Sequence, residues 1–487
     1  MKQFERTLAI RDVMNDSGVR FGTSGARGLV EDMSSGVCFS YTAAFLQAIG
    51  ATGGRVALAI DLRPSSPDIA AACAAAIRQA GLAVDYCGAI PTPALACYAQ
   101  AQGIPAIMVT GSHIPFDRNG IKFYGKSGEI TKADEERISN AIVMLPEGRL
   151  TSALPDVNPL ARQHYIERYL GFFPRNCLAG MKLGFYEHSS VARDLLRELL
   201  ERLGAQVISL GRTDEFVPID TEAVAEVDIQ RASRWAQQYG FDAIISTDGD
   251  ADRPLLGDEN GQWLRGDVAG ILCARYLGAG AVATTVSCNT AVELCGAFSV
   301  VRRTRIGSPY VIAAMDQLAS EGHSRIVGFE PNGGFLVGSA LEQGGRTLAP
   351  LQTRDAVLPI LCLLSMAREG GGRVSGLIKS LPARYTASDR IQDFPTETSR
   401  ALLSRLAGSA EEIDALFAGL CGKHVRLDQT DGLRICFGNG ELIHYRPFGN
   451  APELRCYAES DSPMRARDLV SEGLRRISSL ADDVTAR

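Results

Sequence analysis

Short apolar runs rich in Val, Ile and Ala recur along this chain, each leading into a glycine-rich or polar loop and then into a stretch with helical patterning. Residues 55–60, 106–110, 182–186, 241–246 and 281–287 are such runs, and amphipathic segments such as 66–80 and 193–203 lie between them. Runs this short suit strands. Strands alternating with helices dictate α/β layers, with largely parallel sheets expected. Ligands of such sheets bind beyond the carboxyl ends of the strands. The loops after 106–110, 241–246 and 325–329 are therefore where chemistry is to be sought.

A chain of 487 residues holds three or four domains at about 100–200 residues each. A Pro-rich polar stretch at 145–159 reads as a linker, and further breaks fall near 257–266 and 369–384. The expected division is 1–157 (α/β, with a serine loop), 158–262 (α/β, with an aspartate loop), 263–382 (α/β, with a glutamate loop) and 383–487 (a smaller α+β domain).

Net charge −6 lacks the basic footprint of a nucleic-acid binder. Any phosphate must then be held by local arginines, helix N-termini or a metal. The 12 cysteines include no C-x-x-C pair, which argues against a thiolate zinc site and for reduced core residues of a cytoplasmic protein. The most apolar stretch, 356–366, contains Pro359 and is well short of the ~20 residues needed to span a bilayer. The charged N-terminus is not a signal peptide. Neither nucleic acid nor membrane is an expected partner.

Four motifs carry candidate chemistry. The first is Thr110-Gly111-Ser112-His113-Ile114-Pro115, with Asn119-Gly120-Ile121-Lys122 behind it. Gly111 permits a sharp turn and Pro115 bars regular helix, presenting the Ser112 hydroxyl at a strand end. The Asn-Gly pair is read as a turn that returns Lys122 to the serine, and His113 is placed to bind or orient phosphate. Taken alone, a serine here is more often an ordinary loop residue. The second is Asp248-Gly249-Asp250-Ala251-Asp252-Arg253. In an extended segment its carboxylates at i, i+2 and i+4 point the same way, and their repulsion is relieved by a hard divalent cation. Glu259 stands where an EF-hand has its twelfth ligand, but Arg253 occupies that loop's glycine position. Oxygen-only ligands after a β-type run favour Mg²⁺, and Arg253 is placed to neutralise a phosphoryl oxygen. The third motif is Gly328-Phe329-Glu330-Pro331-Asn332-Gly333-Gly334, a carboxylate suited to sugar hydroxyls, or a plain turn. The fourth is Arg446-Pro447-Phe448-Gly449-Asn450-Ala451-Pro452-Glu453, an arginine before a backbone anion nest, or a structural hairpin.

In this order and spacing the motifs resemble the α-D-phosphohexomutase family, from Phe21-Gly22-Thr23-Ser24-Gly25-Ala26-Arg27-Gly28 to Arg455. The resemblance implies three similar mixed α/β domains and a smaller α+β C-terminal domain around a central cleft. It implies interconversion of hexose 1-phosphate and hexose 6-phosphate through a phosphorylated Ser112 and a hexose 1,6-bisphosphate that also serves as activator. Asp248, Asp250 and Asp252, with Ser112, would hold Mg²⁺. Arg27 and Lys122 would stand by the reacting oxygen, with Lys122 a general acid or base. Glu330 and Asn332 would bind the sugar, Gly307 and Ser308 would form a further sugar-phosphate loop, and Arg446, Gly449 and Asn450 would grip the phosphate that is not reacting. Thr353-Arg354-Asp355-Ala356 and the fourth motif look like bacterial phosphomannomutase sequences, so mannose phosphate is the expected substrate, with glucose phosphate or both sugars as the alternative. A sugar-phosphate sensor and a magnesium phosphatase are the readings outside the class. Small-molecule hexose phosphates are the expected partners of a monomer or homodimer. The chain departs from the family pattern at Gly111 (Ala), Ile114 (Asn), Asn332 (Ser), Gly334 (often His) and Phe448 (Ser).

Overall fold

The computed structural model describes residues 5–22, 25–148, 150–447 and 452–485. The chain forms two compact units, Met1–Val282 with Gly307–Ile378, and Ala283–Ile306 with Lys379–Arg487.

Most of the apolar runs become strands of the first unit. Arg55–Ile60, Ala83–Ala89 and Ala106–Val109 pair in parallel. Arg118–Gly125 and Ala26–Leu29 extend this sheet antiparallel. Helices Ser35–Ala48 and Ser66–Gln79 contribute Tyr41, Phe45, Ile69, Cys73 and Ile77 to a core shared with Val56, Leu58, Ile107 and Val109. Burying each such side chain contributes about 1.5–3 kcal/mol. In the next sheet Gln206–Leu210, Lys182–Tyr186 and Ala243–Thr247 run parallel and Pro254–Gly257 antiparallel. Ile326–Phe329, Phe335–Val337 and Leu351–Asp355 pair antiparallel in a third.

The sheets are thus mixed rather than largely parallel, and loop length is the reason. A parallel neighbour needs a crossover of a dozen or more residues. After Val109, Thr247 and Phe329 the chain re-enters its sheet at Arg118, Pro254 and Phe335. Such short returns must run antiparallel, so all three candidate motifs sit in tight connections at one strand's carboxyl end.

The Asn119-Gly120 turn expected from sequence is not formed. Both residues lie inside the strand Arg118–Gly125. Asn119 Nδ2 donates to the hydroxyls of Ser65 and Ser66, and Gly120 N donates to Asn119 Oδ1. The reversal falls earlier, where Arg118 N donates to the Pro115 carbonyl. Lys122 reaches the site because it projects from a central strand.

The second unit carries an antiparallel sheet in the order Tyr385–Ile391, Leu454–Ser460, Leu442–Pro447, Leu433–Phe437, His424–Asp428. Leu402, Leu406, Phe417, Ile435, Ile443, Tyr445 and Leu469 fill its core against helices Thr396–Ala407 and Pro463–Thr485. No described helix is long and apolar enough to cross a membrane. The twelve cysteines are free thiols, nine of them buried and Cys177, Cys295 and Cys436 half-buried.

Candidate active site

Ser112 is buried and left-handed at φ 53, a sparsely populated conformation for a residue with a side chain. Its Oγ donates to Asp248 Oδ2 at 2.6 Å. Asp248 Oδ1 accepts the backbone N–H groups of Asp252 and Arg253. The aspartate loop is not extended: Ala251 takes φ 56 and its N–H donates to the Asp248 carbonyl. The turn, not strand alternation, brings the carboxylates of Asp248, Asp250 and Asp252 together, with one oxygen from each within 4.8 Å of the others.

The oxygens of this cluster divide into two sets. Asp250 Oδ2 accepts from Thr92 Oγ1 at 2.5 Å and Lys122 Nζ at 2.7 Å, and Asp252 Oδ2 accepts from Lys122 Nζ at 2.7 Å and Arg354 Nη2 at 2.8 Å. Asp250 Oδ1 and Asp252 Oδ1 are buried and find no hydrogen-bond partner among the described residues, although Arg253 Nε lies 3.5 Å from Asp252 Oδ1 as an ion pair. Orphaned buried carboxylate oxygens beside a third carboxylate are what a hard cation satisfies, so the residues fit magnesium. Glu259 instead bonds Ser375, which removes the EF-hand alternative.

The charges are arranged to match. Burial and the adjacent Asp250 and Asp252 raise the Asp248 carboxyl well above its ordinary value. Burial would raise Asp252 too, but Arg354, Lys122 and Arg253 hold it well below the usual carboxylate range. Burial opposes the charge on Lys122, and Asp250 and Asp252 overcome it and raise that group. His113 is pushed down to about 3 by burial and by Arg253, so it is neutral. Its Nδ1 accepts from Arg253 Nη1 at 2.8 Å and lies 3.4 Å from Ser112 Oγ. Arg27 is lowered to about 10 by burial and by Arg253 and Arg354, and stays charged at neutral pH.

Glu330 and Asn332 lie in the return between Ile326–Phe329 and Phe335–Val337. Both are buried, and Asn332 Nδ2 approaches Glu330 Oε2 at 3.4 Å. Gly307, at φ 130, caps the helix Ser308–Ser320. Ser308 is buried with its Oγ 3.5 Å from Arg354 Nη1. Ser112, His113, Lys122, Arg253, the three aspartates, Glu330, Asn332 and Ser308 are therefore joined by one network of contacts. Arg446 belongs to the other unit, where its Nε donates to Asp431 Oδ2 at 3.0 Å. There it lines a cavity of about 360 Å³ with Arg305, Arg400 and Ser404. Gly449 and Asn450 lie outside the described residues, as do Thr23, Ser24 and Phe448.

Sequence reading missed the groups that hold the loops. Arg63, fully buried, donates to the carbonyls of Ser112, Ile114, Pro115 and Arg118 at 2.6–3.0 Å. Its guanidinium lies 3.9 Å from the centre of the Phe216 ring and pairs with Asp61, which also accepts from Thr110 and Ser66. Asp61 and Arg63 follow the strand Arg55–Ile60 directly, so the rule that pointed to the other loops applied here as well. Two departures from the family pattern also gain a reason. A Cβ on Gly111 would sit 2.6 Å from Arg63 Cζ, and one on Gly334 would sit 2.5 Å from Arg354 Cδ. Each glycine leaves room for a buried arginine.

The sequence patterns of phosphoglucomutase/phosphomannomutase α/β/α domains I, II and III match residues 18–146, 163–261 and 265–385. A phosphomannomutase of Salmonella muenchen is 50% identical over 96% of this chain and 97% of its own. One of Sinorhizobium fredii is 44% identical over 95% and 99%. Among solved structures, a phosphoglucomutase/phosphomannomutase family protein from Burkholderia thailandensis superposes with a TM-score of 0.73 at 20% identity, covering 94% of this chain and 97% of its own. Matches of this extent, on a chain whose serine hydroxyl meets a cluster of three buried aspartates, show that it belongs to the phosphoglucomutase/phosphomannomutase family of α-D-phosphohexomutases.

Proposed function

We propose that this phosphohexomutase interconverts mannose 1-phosphate and mannose 6-phosphate through a phosphorylated Ser112 and an enzyme-bound hexose 1,6-bisphosphate, which also primes the enzyme. One observation carries the mechanism: Ser112 Oγ lies 2.6 Å from Asp248, beside the two orphaned aspartate oxygens. The two phosphomannomutases at 50% and 44% identity support the sugar. Glu330, assigned to the sugar's O3 and O4, touches nothing that separates mannose from glucose.

Asp248, Asp250 and Asp252 would hold Mg²⁺, which when bound supplies positive charge against the transferring phosphoryl oxygens. Phosphoryl transfer depends on positioning and charge neutralisation, and this chain's residues supply both. In the first half-reaction the phosphorus–oxygen bond to Ser112 breaks as one forms to a sugar hydroxyl oxygen. After the bisphosphate reorients, the other phosphoryl group returns to Ser112. Arg253 and Arg27 neutralise phosphoryl charge, and neutral His113 offers an imidazole beside Ser112. Lys122 is a cation pinned by two carboxylates. That state suits charge neutralisation and donation of a proton to a departing oxygen. Gly307 and Ser308 are assigned to a further sugar-phosphate loop, and Arg446, Gly449 and Asn450 to the phosphate that is not reacting. The division into four domains at 157/158, 262/263 and 382/383, a cytoplasmic location and a monomeric or homodimeric state belong to the same reading.

The test is a coupled assay with magnesium and a trace of glucose 1,6-bisphosphate. It compares kcat/KM for mannose 1-phosphate and glucose 1-phosphate in the intact protein and in Ser112→Ala. Turnover favouring mannose and abolished in the variant is expected. A preference for glucose would correct the sugar. Phosphate release surviving in Ser112→Ala would replace the mutase by a phosphatase, and tight binding without turnover would make the protein a sensor.

A further inference from the structure

Arg354 is the penultimate residue of the strand Leu351–Asp355, a buried cation in a mostly buried strand. Its guanidinium makes a fork that the sequence motifs do not announce. Nε and Nη2 donate to Asp252 Oδ2 at 3.2 and 2.8 Å, and Nη1 donates to Glu330 Oε2 at 3.2 Å. It is the only described group within hydrogen-bonding distance of both the metal-site aspartates and Glu330. Without it, Glu330 Oε2 keeps only the long contact from Asn332 Nδ2 at 3.4 Å. Asp252 would keep Lys122.

Its placement is locked from two sides. On one side the stem of Arg354 lies where a side chain on Gly334 would be, with Cδ, Cγ and Cβ at 2.5, 2.7 and 3.0 Å from an added Cβ. On the other side the next residue, Asp355, is gripped by the hydroxyls of Tyr165 and Tyr169 and caps the following helix by accepting from Val357 N. Tyr165 and Tyr169 project from the helix Leu160–Phe172, so the register of Arg354 is fixed by a second layer of the unit. Burial alone would lower this guanidinium, and Asp252 and Glu330 raise it well above its ordinary value. It is a permanent cation.

We propose that Arg354 is a positioning residue that couples the metal loop to the sugar loop. It turns Asp252 so that Oδ1, which makes only a 3.5 Å ion pair with Arg253 Nε, faces the cation site, and it holds the Glu330 carboxylate at the angle from which it receives sugar hydroxyls. Lysine cannot substitute, because a single ammonium lacks the planar fork that meets two carboxylates at once. The sugar part of this inference rests on the mutase reading; the metal part does not.

The test uses the full chain with Arg354→Gln, Arg354→Lys, Glu330→Gln and the double variant Arg354→Gln/Glu330→Gln. Mn²⁺ affinity is measured by electron paramagnetic resonance without sugar, and kcat and KM are measured separately for mannose 1-phosphate. Loss of a group that orients a metal ligand costs about 10–100-fold in metal affinity, and a loss in that range is expected in Arg354→Gln. KM is expected to rise at least tenfold in Arg354→Gln and in Glu330→Gln, with the double variant no worse than the worse single one. If Arg354→Gln does not fold, Arg354→Lys keeps the buried charge, and both losses are expected in it. Unchanged Mn²⁺ affinity, unchanged KM, or KM losses that multiply in the double variant would overturn the coupling. If the intact protein turns over no hexose phosphate, the mutase reading fails by itself, and the Mn²⁺ measurement still decides the metal half of the proposal.

Discussion

Replacing Gly111 by alanine restores the residue that the family pattern carries in the serine loop, yet here it is expected to harm the protein. An added Cβ would lie 2.6 Å from both Cζ and Nε of Arg63 and 2.9 Å from its Nη2. Ordinary carbon contacts are about 3.5–4.0 Å, so the guanidinium would have to retreat by about 1 Å. It has nowhere to go, since Nη1 and Nη2 donate to four loop carbonyls at 2.6–3.0 Å and the Phe216 ring lies 3.9 Å away. A retreat of that size breaks part of the carbonyl clamp. Overpacking of a filled site costs about 1–3 kcal/mol, and about 2 kcal/mol is a factor of roughly 30 in an equilibrium. The expected result is an earlier urea transition and a lower kcat, because the loop that presents Ser112 loses its anchor. Arg63→Lys, with a narrower head group, should relieve part of the clash, so the double variant should lose less than the two single losses combined. Wild-type stability and kcat/KM in Gly111→Ala would refute the argument.

Three further outcomes are expected at other positions. Lys122→Met leaves Asp250 and Asp252 facing one another without their shared cation. Breaking a buried pair costs about 3–5 kcal/mol; magnesium should then raise the unfolding midpoint more in the variant than in the parent, and an equal rise would count against the cluster as the cation site. Gly171→Ala, near the end of the helix Leu160–Phe172 with open space around its Cα, should stabilise the protein by about 0.4–1 kcal/mol, seen as a later denaturant midpoint with unchanged activity. His444 donates from Nε2 to the Asp431 carbonyl at 2.6 Å, its Nδ1 has no hydrogen-bond partner among the described residues, and burial pushes it down to about 4. The unfolded chain then binds the extra proton first. Stability is full above about pH 6.5 and falls as pH drops towards 4, by about 3 kcal/mol in all, and His444→Gln should flatten that part of the stability–pH curve.

How much of this was legible in the sequence depends on whether the relevant signal is local. The strand–loop–helix alternation and the clustering of three carboxylates are local, and the sequence carries both. Strand alternation is not what gathers the carboxylates, because the chain turns through Ala251 at φ 56 and re-enters its sheet antiparallel. The same short returns make the sheets mixed where alternation with helices alone predicts largely parallel ones. The number of residues separating two apolar runs carries the direction of the second strand. The Asn-Gly pair misled because its turn chemistry is only a propensity: inside a sheet, Asn119 meets two serine hydroxyls that outweigh it.

What no local pattern could announce is the set of arginines behind the loops. Arg63 acts on residues about fifty positions away, and Arg354 joins Asp252 to Glu330. Such contacts exist only once the fold has brought the loops together, within one sheet for Arg63 and between two for Arg354. They do leave a trace, because a buried guanidinium needs room, and room is made by removing a side chain opposite it. Gly111 and Gly334, which in sequence look like losses from the family pattern, are the other halves of Arg63 and Arg354. A departure that deletes a side chain beside a catalytic motif is therefore better read as half of a pair than as a loss of function. Its partner is to be sought among charged residues at the ends of neighbouring apolar strands. On that reasoning Gly334→Ala should cost more in Mn²⁺ affinity and KM than in overall stability. The added Cβ displaces Arg354 from Asp252 and Glu330 while leaving the surrounding apolar core untouched. A Gly334→Ala protein that is less stable but binds Mn²⁺ and sugar phosphate normally would show that the glycine serves packing alone.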